Sequence, residues 1–106
     1  MSEQSSGVAL HVALQNGFTG DEVVLRLNGR EVFRKEGVRT KTQVGLGDLF
    51  RVDVPRGPVV LETRLPARRL SDVLEFVLSK PLHIGVNVDP DDGFRYVIQY
   101  VPFRYM

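Results

Sequence analysis

The sequence predicts an all-β chain folded as an antiparallel two-sheet β-sandwich, and three observations carry that expectation. Apolar residues recur with period two along most of the chain, as at Val8, Leu10, Val12 and Leu14, which marks strands with one buried face. The alternating runs are short and divided by Gly, Pro, Asn and Asp, the residues of tight turns. One apolar face per strand is what two sheets around a single core require. About seven or eight strands are expected, in one domain over 8–106, after a Ser-rich disordered lead over 1–7.

The elements follow in order. In VALHVALQ the apolar side is opposed by Ala9, His11, Ala13 and Gln15, and NGFTGD ends the strand. EVVLRLNGREVFRK reads as a hairpin of about 22–28 and 30–35, because Asn28-Gly29 supplies the positive φ that a type I′ turn demands. A short irregular strand is expected near Thr40–Val44. DLFRVDVP turns Phe50, Val52 and Val54 inward against Arg51 and Asp53, PRGP turns, and VVLETRLP alternates Val59, Leu61, Thr63 and Leu65 with Val60, Glu62 and Arg64.

The segment ARRLSDVLEFVLSK fits two templates. Leu70, Val73, Leu74, Val77 and Leu78 have helical spacing, with Ser71 as a cap, so a short helix near 70–79 is one reading. A strand instead gathers Leu70, Leu74, Phe76 and Leu78 on one face with Asp72 between. The strand is preferred, since a helix strands Phe76 off its apolar stripe. LHIGVNVD and FRYVIQYV close the chain as a hairpin across PDDG, with Phe94, Tyr96, Ile98 and Tyr100 expected in the core.

Composition narrows the function classes. The chain has 106 residues, of which 42% are hydrophobic and 25% charged, the profile of one ordinary globular domain. A net charge of +1 supplies no footprint for nucleic acid or an acidic membrane. Without cysteine, thiolate chemistry and cysteine-held metal centres are excluded. No apolar run approaches the roughly 20 residues of a membrane helix, and the polar start lacks the pattern of a secretory signal. A cytoplasmic protein without cofactor or metal, and without nucleic-acid or membrane partners, is expected.

Two segments, VVLRLNGREVF and VDVPRGPVVLETRL, resemble small transthyretin-like or PEGA-like sandwich modules over about a quarter of the chain. PEGA modules carry a Gly-Thr-Pro-like element after the first hairpin, where this chain has EGVRTKTQVG. The resemblance implies a non-catalytic binding or structural accessory and transfers no residue roles. The sandwich is expected to be of transthyretin-like or immunoglobulin-like type.

His11 and His83 lie on the polar sides of their strands and would meet only if those strands were neighbours; with Asp89 they would then offer metal ligands. No short histidine spacing exists, so solvent-facing positions are expected. Asp89, Asp91 and Asp92 read as a turn rather than a calcium loop. Arg26, Arg30, Arg34, Lys35, Arg39 and Lys41, with Arg64, Arg68 and Arg69, could bind phosphates, but charge that protects strand edges is the simpler account. Ser71-Asp72 belongs to no nucleophile motif, and an enzyme would need a cleft with a displaced acid or base; none is expected.

The leading expectation is therefore a protein-interaction or structural module that presents a sheet face or edge to a protein partner or a second copy. Phe103, Tyr105 and Met106, beyond the ladder-breaking Pro102, are its candidate interface in a symmetric homodimer. A deep polar pocket holding convergent carboxylates or both histidines would count heavily against it. The alternative is a small-ligand or carbohydrate binder that stacks its ligand on Tyr96 and Tyr100.

Overall fold

A computed structural model describes residues 7–41, 43–89, 91 and 93–104. Among them are eight strands: β1 (Gly7–Leu14), β2 (Thr19–Leu27), β3 (Arg30–Arg39), β4 (Asp48–Pro55), β5 (Gly57–Leu65), β6 (Leu70–Leu78), β7 (Leu82–Asp89) and β8 (Gly93–Gln99). They form two four-stranded sheets, in the orders β4-β1-β7-β8 and β3-β2-β5-β6. The alternation read from sequence sets the core: Leu10, Leu14, Ile84 and Val86 of the first sheet are buried with Val23, Leu25, Val59 and Leu61 of the second. Gly7 already belongs to β1, which corrects the lead at its last residue; residues 1–6 lie outside the described residues.

The sandwich is not wholly antiparallel. Leu10–Leu14 of β1 pair in parallel with Leu82–Val86 of β7. Side-chain alternation is the same in either direction, so period two carries no information on strand polarity. The pairing joins strands far apart in the chain, after the intervening segment has crossed to the second sheet and back.

The β2–β3 hairpin stands as expected, with Asn28 at φ 51° and Gly29 at φ 84°. Asn28 does more than turn. Its backbone N–H donates to the Val60 carbonyl at 2.9 Å, and its side-chain Oδ1 accepts from the Val60 N–H at 2.9 Å. The turn residue thus continues the β2–β5 ladder past the end of β2.

Residues 70–78 are strand β6, paired with β5 from Gly57↔Leu78 to Leu65↔Leu70 without a bulge. Leu70, Leu74 and Phe76 pack on the core, while Val73 and Val77 point outward. The short-helix alternative is excluded; the helical turn in this region is 3-10 and lies earlier, at Pro66–Arg68.

The strand expected near Thr40–Val44 does not form. β3 runs on to Arg39, and a tight turn follows in which Lys41 bridges Leu46, with Gly45 at φ 69°. The chain must leave one sheet for the other here, and that crossing needs a reversal rather than another ladder. Thr42 lies outside the described residues. Lys35 bonds Asp48 at 2.7 Å, and Phe33 meets Phe50 at 5.2 Å, so β3 and β4 close this side of the sandwich.

The opposite side is looser. Phe94 and Tyr96 pack on the core as expected, but Ile98 is 46% and Tyr100 57% exposed. Both belong to the far end of an edge strand and the residues after it, where no second-sheet side chain covers them. The expectation of a buried closing strand holds for its first half alone. Among the described residues no helix is long and apolar enough to cross a membrane.

Candidate functional site

The parallel β1–β7 register has a chemical consequence. It sets His11 directly beside His83, and the flanking registers set Arg51 beside His11 and Gln99 beside His83. One row, Arg51–His11–His83–Gln99, therefore crosses the outer face of the first sheet. The next row is Leu49–Ala13–Gly85–Val97. Ala13 leaves a low floor there, while the space above Gly85 is taken by the Gln15 side chain. Ala13 is buried although it faces outward, and a Cβ at Gly85 would run into the Gln15 side chain, whose Oε1 accepts from Asn87 at 2.9 Å.

The two imidazoles stack, with ring centroids 4.2 Å apart and planes within 7°. Two charged rings so placed would repel, and His83 is held below the ordinary histidine pKa, first by burial and then by the charge of His11. Phe103 stands edge to face with His83 at 6.4 Å and 90°. It is carried there by Gln99, whose Nε2 donates to the Val101 carbonyl at 2.8 Å and the Pro102 carbonyl at 3.3 Å. Residues 101–103 thus fold back over the sheet. Pro102 and Phe103 on one side, with Leu49, Phe50 and Arg51 on the other, wall an open cleft of about 470 Å³ above the histidine pair.

No family model, curated protein or solved structure matches this chain.

The structure brings together some of the residues singled out in the sequence and separates others. His11 and His83 meet because their strands are neighbours, the condition the sequence left open, and both lie on the outer face as expected. Asp89 does not join them: it sits at the far end of β7 and pairs with Arg95 at 3.3 Å. Among the described residues no three His, Asp or Glu side chains are grouped to hold a metal. The Asp91 N–H donates to Asp89 Oδ1 at 2.9 Å, the bond of an Asx turn; Asp92 lies outside the described residues. Ser71 faces solvent and Asp72 faces inward, as neighbours on a strand must, so they form no dyad.

Most of the basic stretch is spent on carboxylates. Arg34 bonds Glu22 at 2.7 Å and Glu31 at 2.9 Å, and Arg26 lies 3.8 Å from Glu62. Arg68 turns in to Asp21 at 2.7 Å, and also donates to the Gly17 carbonyl and Thr19. That clamp ties the 3-10 turn to the start of β2.

Neither tyrosine of the stacking reading lines the cleft. Tyr96 is packed on the core, and its hydroxyl is enclosed near Thr63 and Asp72 without a hydrogen bond of good geometry. Burial, then the charge of Asp72, pushes its pKa up, so the phenol stays neutral. As a platform for a sugar ring Tyr96 is corrected: inward alternation removes it from solvent. Tyr100 is exposed but already carries the Lys80 ammonium 4.3 Å above its ring. Of the candidate interface, Phe103 lies against its own chain, and Tyr105 and Met106 fall outside the described residues.

Sequence reasoning named Arg51, His11 and His83 separately but not as a row. A faint signal was present in the small residues Ala13 and Gly85, two positions beyond each histidine on the same face. What alternation could not supply was the parallel register that aligns them.

Proposed function

We propose that the chain is a β-sandwich binding module that takes a small apolar anion, such as an aryl or alkyl carboxylate, in the outer-face cleft. One observation carries the reading: the row Arg51–His11–His83 puts one guanidinium and two imidazoles on the floor and rim of an otherwise apolar cleft, and among the described residues no carboxylate lines it. A guanidinium offers a planar fork matched to a carboxylate. Its bond to Asp53, at 3.4 Å between largely exposed groups, is long and weak. The cleft volume of about 470 Å³ falls in the range of small-molecule sites, roughly 300–1,000 Å³. Both histidines sit in this one cleft, which supports an anion site; the cleft is open and largely apolar, so it leaves the interaction module expected from sequence untouched.

The test is a titration with phenylacetate and its uncharged amide, followed by the ring resonances of His11 and His83. Phenylacetate should shift both rings and bind more tightly as pH falls from 8 to 6, because an anion favours the imidazolium forms. Arg51→Gln should weaken binding by roughly tenfold or more, the scale of a lost charged hydrogen bond. Equal binding of acid and amide, or shifts confined to other residues, would refute it.

The same geometry supports a second reading, acid–base catalysis on the bound anion. An imidazole kept neutral in a cleft is a competent proton acceptor, and His83 is such a group. Hydrolysis of 4-nitrophenyl hemisuccinate, lost in His83→Gln, is the check; no rate above the variant's would leave binding alone.

For the sandwich type we propose transthyretin-like rather than immunoglobulin-like. In the immunoglobulin arrangement the first strand shares a sheet with the second, fourth and fifth. Here β1 lies with β4, β7 and β8, which supports the former, as do the two segments that resemble such modules, the β2–β3 hairpin and the β4–β5 crossing between sheets.

A further inference from the structure

Glutamine on the outer face of a sheet ordinarily reaches water, and Gln15 does not. Alternation from His11 and Ala13 turns it outward just past the end of β1, yet it is only 9% exposed. Its carboxamide lies directly over Gly85, where an added Cβ would collide with Oε1, Cδ and Nε2 alike. Oε1 accepts from Asn87 Nδ2 at 2.9 Å. Asn87 is fixed in turn, since its Oδ1 accepts from the Asn16 backbone N–H at 3.0 Å. The backbone of Gln15 is also held, donating to the Val86 carbonyl and accepting from the Thr40 hydroxyl. A long side chain is thus pinned, against its rotamer entropy, over a glycine that leaves room for it.

That place borders the cleft. Ala13, which lines the cleft, is the register partner of Gly85, so the carboxamide stands about one strand spacing, roughly 4.8 Å, from the open floor. The cleft extends from the Arg51–His11–His83 row toward Ala13 and Leu49; Ala9 and Asp53, on the other side of that row, do not line it. A ligand whose carboxylate meets Arg51 therefore runs its apolar part over Ala13 and toward Gln15. Two residues along a strand span about 6.7 Å, room for one benzene ring or a short alkyl chain. A longer tail would have to displace the carboxamide from its bond to Asn87 or bury it against hydrocarbon, and either is costly.

We propose that Gln15 sets the length of ligand the cleft accepts. It ends the apolar floor at Gly85, so acids with a single ring or a short chain are preferred over longer ones. The inference rests on the anion reading of the cleft and adds the size of the ligand to it. A side chain that merely filled the space over Gly85 would affect stability alone, whereas a length stop changes the order of ligands.

The experiment compares phenylacetate with 4-biphenylacetate, whose second ring continues the line of the first, on the full chain and two variants. For the unaltered chain the second ring should add nothing to affinity. The para proton of bound phenylacetate should show nuclear Overhauser contacts to the Gln15 side-chain amide. Gln15→Ala uncovers Gly85 and extends the floor, so biphenylacetate should gain roughly tenfold, the scale of a partly buried ring, with phenylacetate unchanged. Gln15→Glu keeps the bulk and the acceptor for Asn87, and should keep the preference for the shorter acid while weakening both. Should Gln15→Ala fail to fold, the Overhauser contacts and the order of the two acids on the unaltered chain still decide. Tighter binding of biphenylacetate by the unaltered chain, an unchanged order in folded Gln15→Ala, or a bound ring without contact to Gln15 overturns the proposal, and shifted histidine rings then leave the anion site standing. Histidine rings unshifted by either acid would remove the anion site itself, and the length stop with it.

Discussion

At the scale of single residues, the stacked histidines are the most informative feature. His83 is depressed by burial and by the charge of His11, so the folded state binds fewer protons at this site than the unfolded chain near its ordinary value of about 6.5. Stability then rises with pH wherever the unfolded state holds more protons. The contribution is complete above about pH 6.5 and is lost as pH falls from there through the lower folded value. Few other side chains titrate in this interval. The melting temperature should therefore fall between pH 7.5 and 5.5, and His83→Gln should flatten that slope. An unchanged slope in the variant, followed by circular dichroism, would remove the histidine stack as its source.

Single strands and turns can be judged by how much their sequence over-determines them. The Asn28-Gly29 turn is read twice, once by backbone conformation and once by the Asn28–Val60 bonds. Asn28→Gly keeps the conformation but removes the side-chain acceptor, leaving the Val60 N–H to solvent. A loss of about 1 kcal/mol is expected, the net worth of one such hydrogen bond, measured as a lower urea midpoint with an unchanged slope. β6 is determined less firmly, because its apolar residues satisfy both periods. Phe76 decided between them: only a strand turns it to the core with Leu74 and Leu78. At Thr40–Val44 the opposite happened. A plausible alternation was overridden because the chain had to cross between sheets, and local pattern does not know where a sheet ends.

For the whole molecule, residues 101–103 complete the site: of the two fates the sequence allows this segment, folding back or meeting a partner, Phe103 takes the first, held over its own sheet by Gln99 and resting on His83. Truncation after Val101 removes one wall of the cleft and leaves both sheets paired. Phenylacetate affinity should drop by roughly tenfold, as the apolar area Phe103 offers a ligand is lost. The molar mass in solution should not change. A truncated chain that binds phenylacetate as before would show that the folded-back segment is no part of the site, and a mass that halves would restore it as an interface.

What the sequence by itself determined was local and directional along the chain. It specified which side of each strand meets the core, where the Asn28-Gly29 hairpin turns, and that Tyr96 points with Phe94 rather than with Arg95. These follow from the two-residue period of a strand and from the conformational needs of a turn, both written in neighbouring residues. The tertiary structure alone decided which strands lie side by side and in which sense. Alternation is blind to strand polarity and says nothing of partners some seventy positions apart (as His11 and His83 are), so the row Arg51–His11–His83 exists only once β1 has taken β7 as its parallel neighbour. The exposure of β6 was decided in the same way. An edge is a property of the sheet's order, and no residue within Leu70–Leu78 encodes that, among the described residues, no strand pairs beyond it.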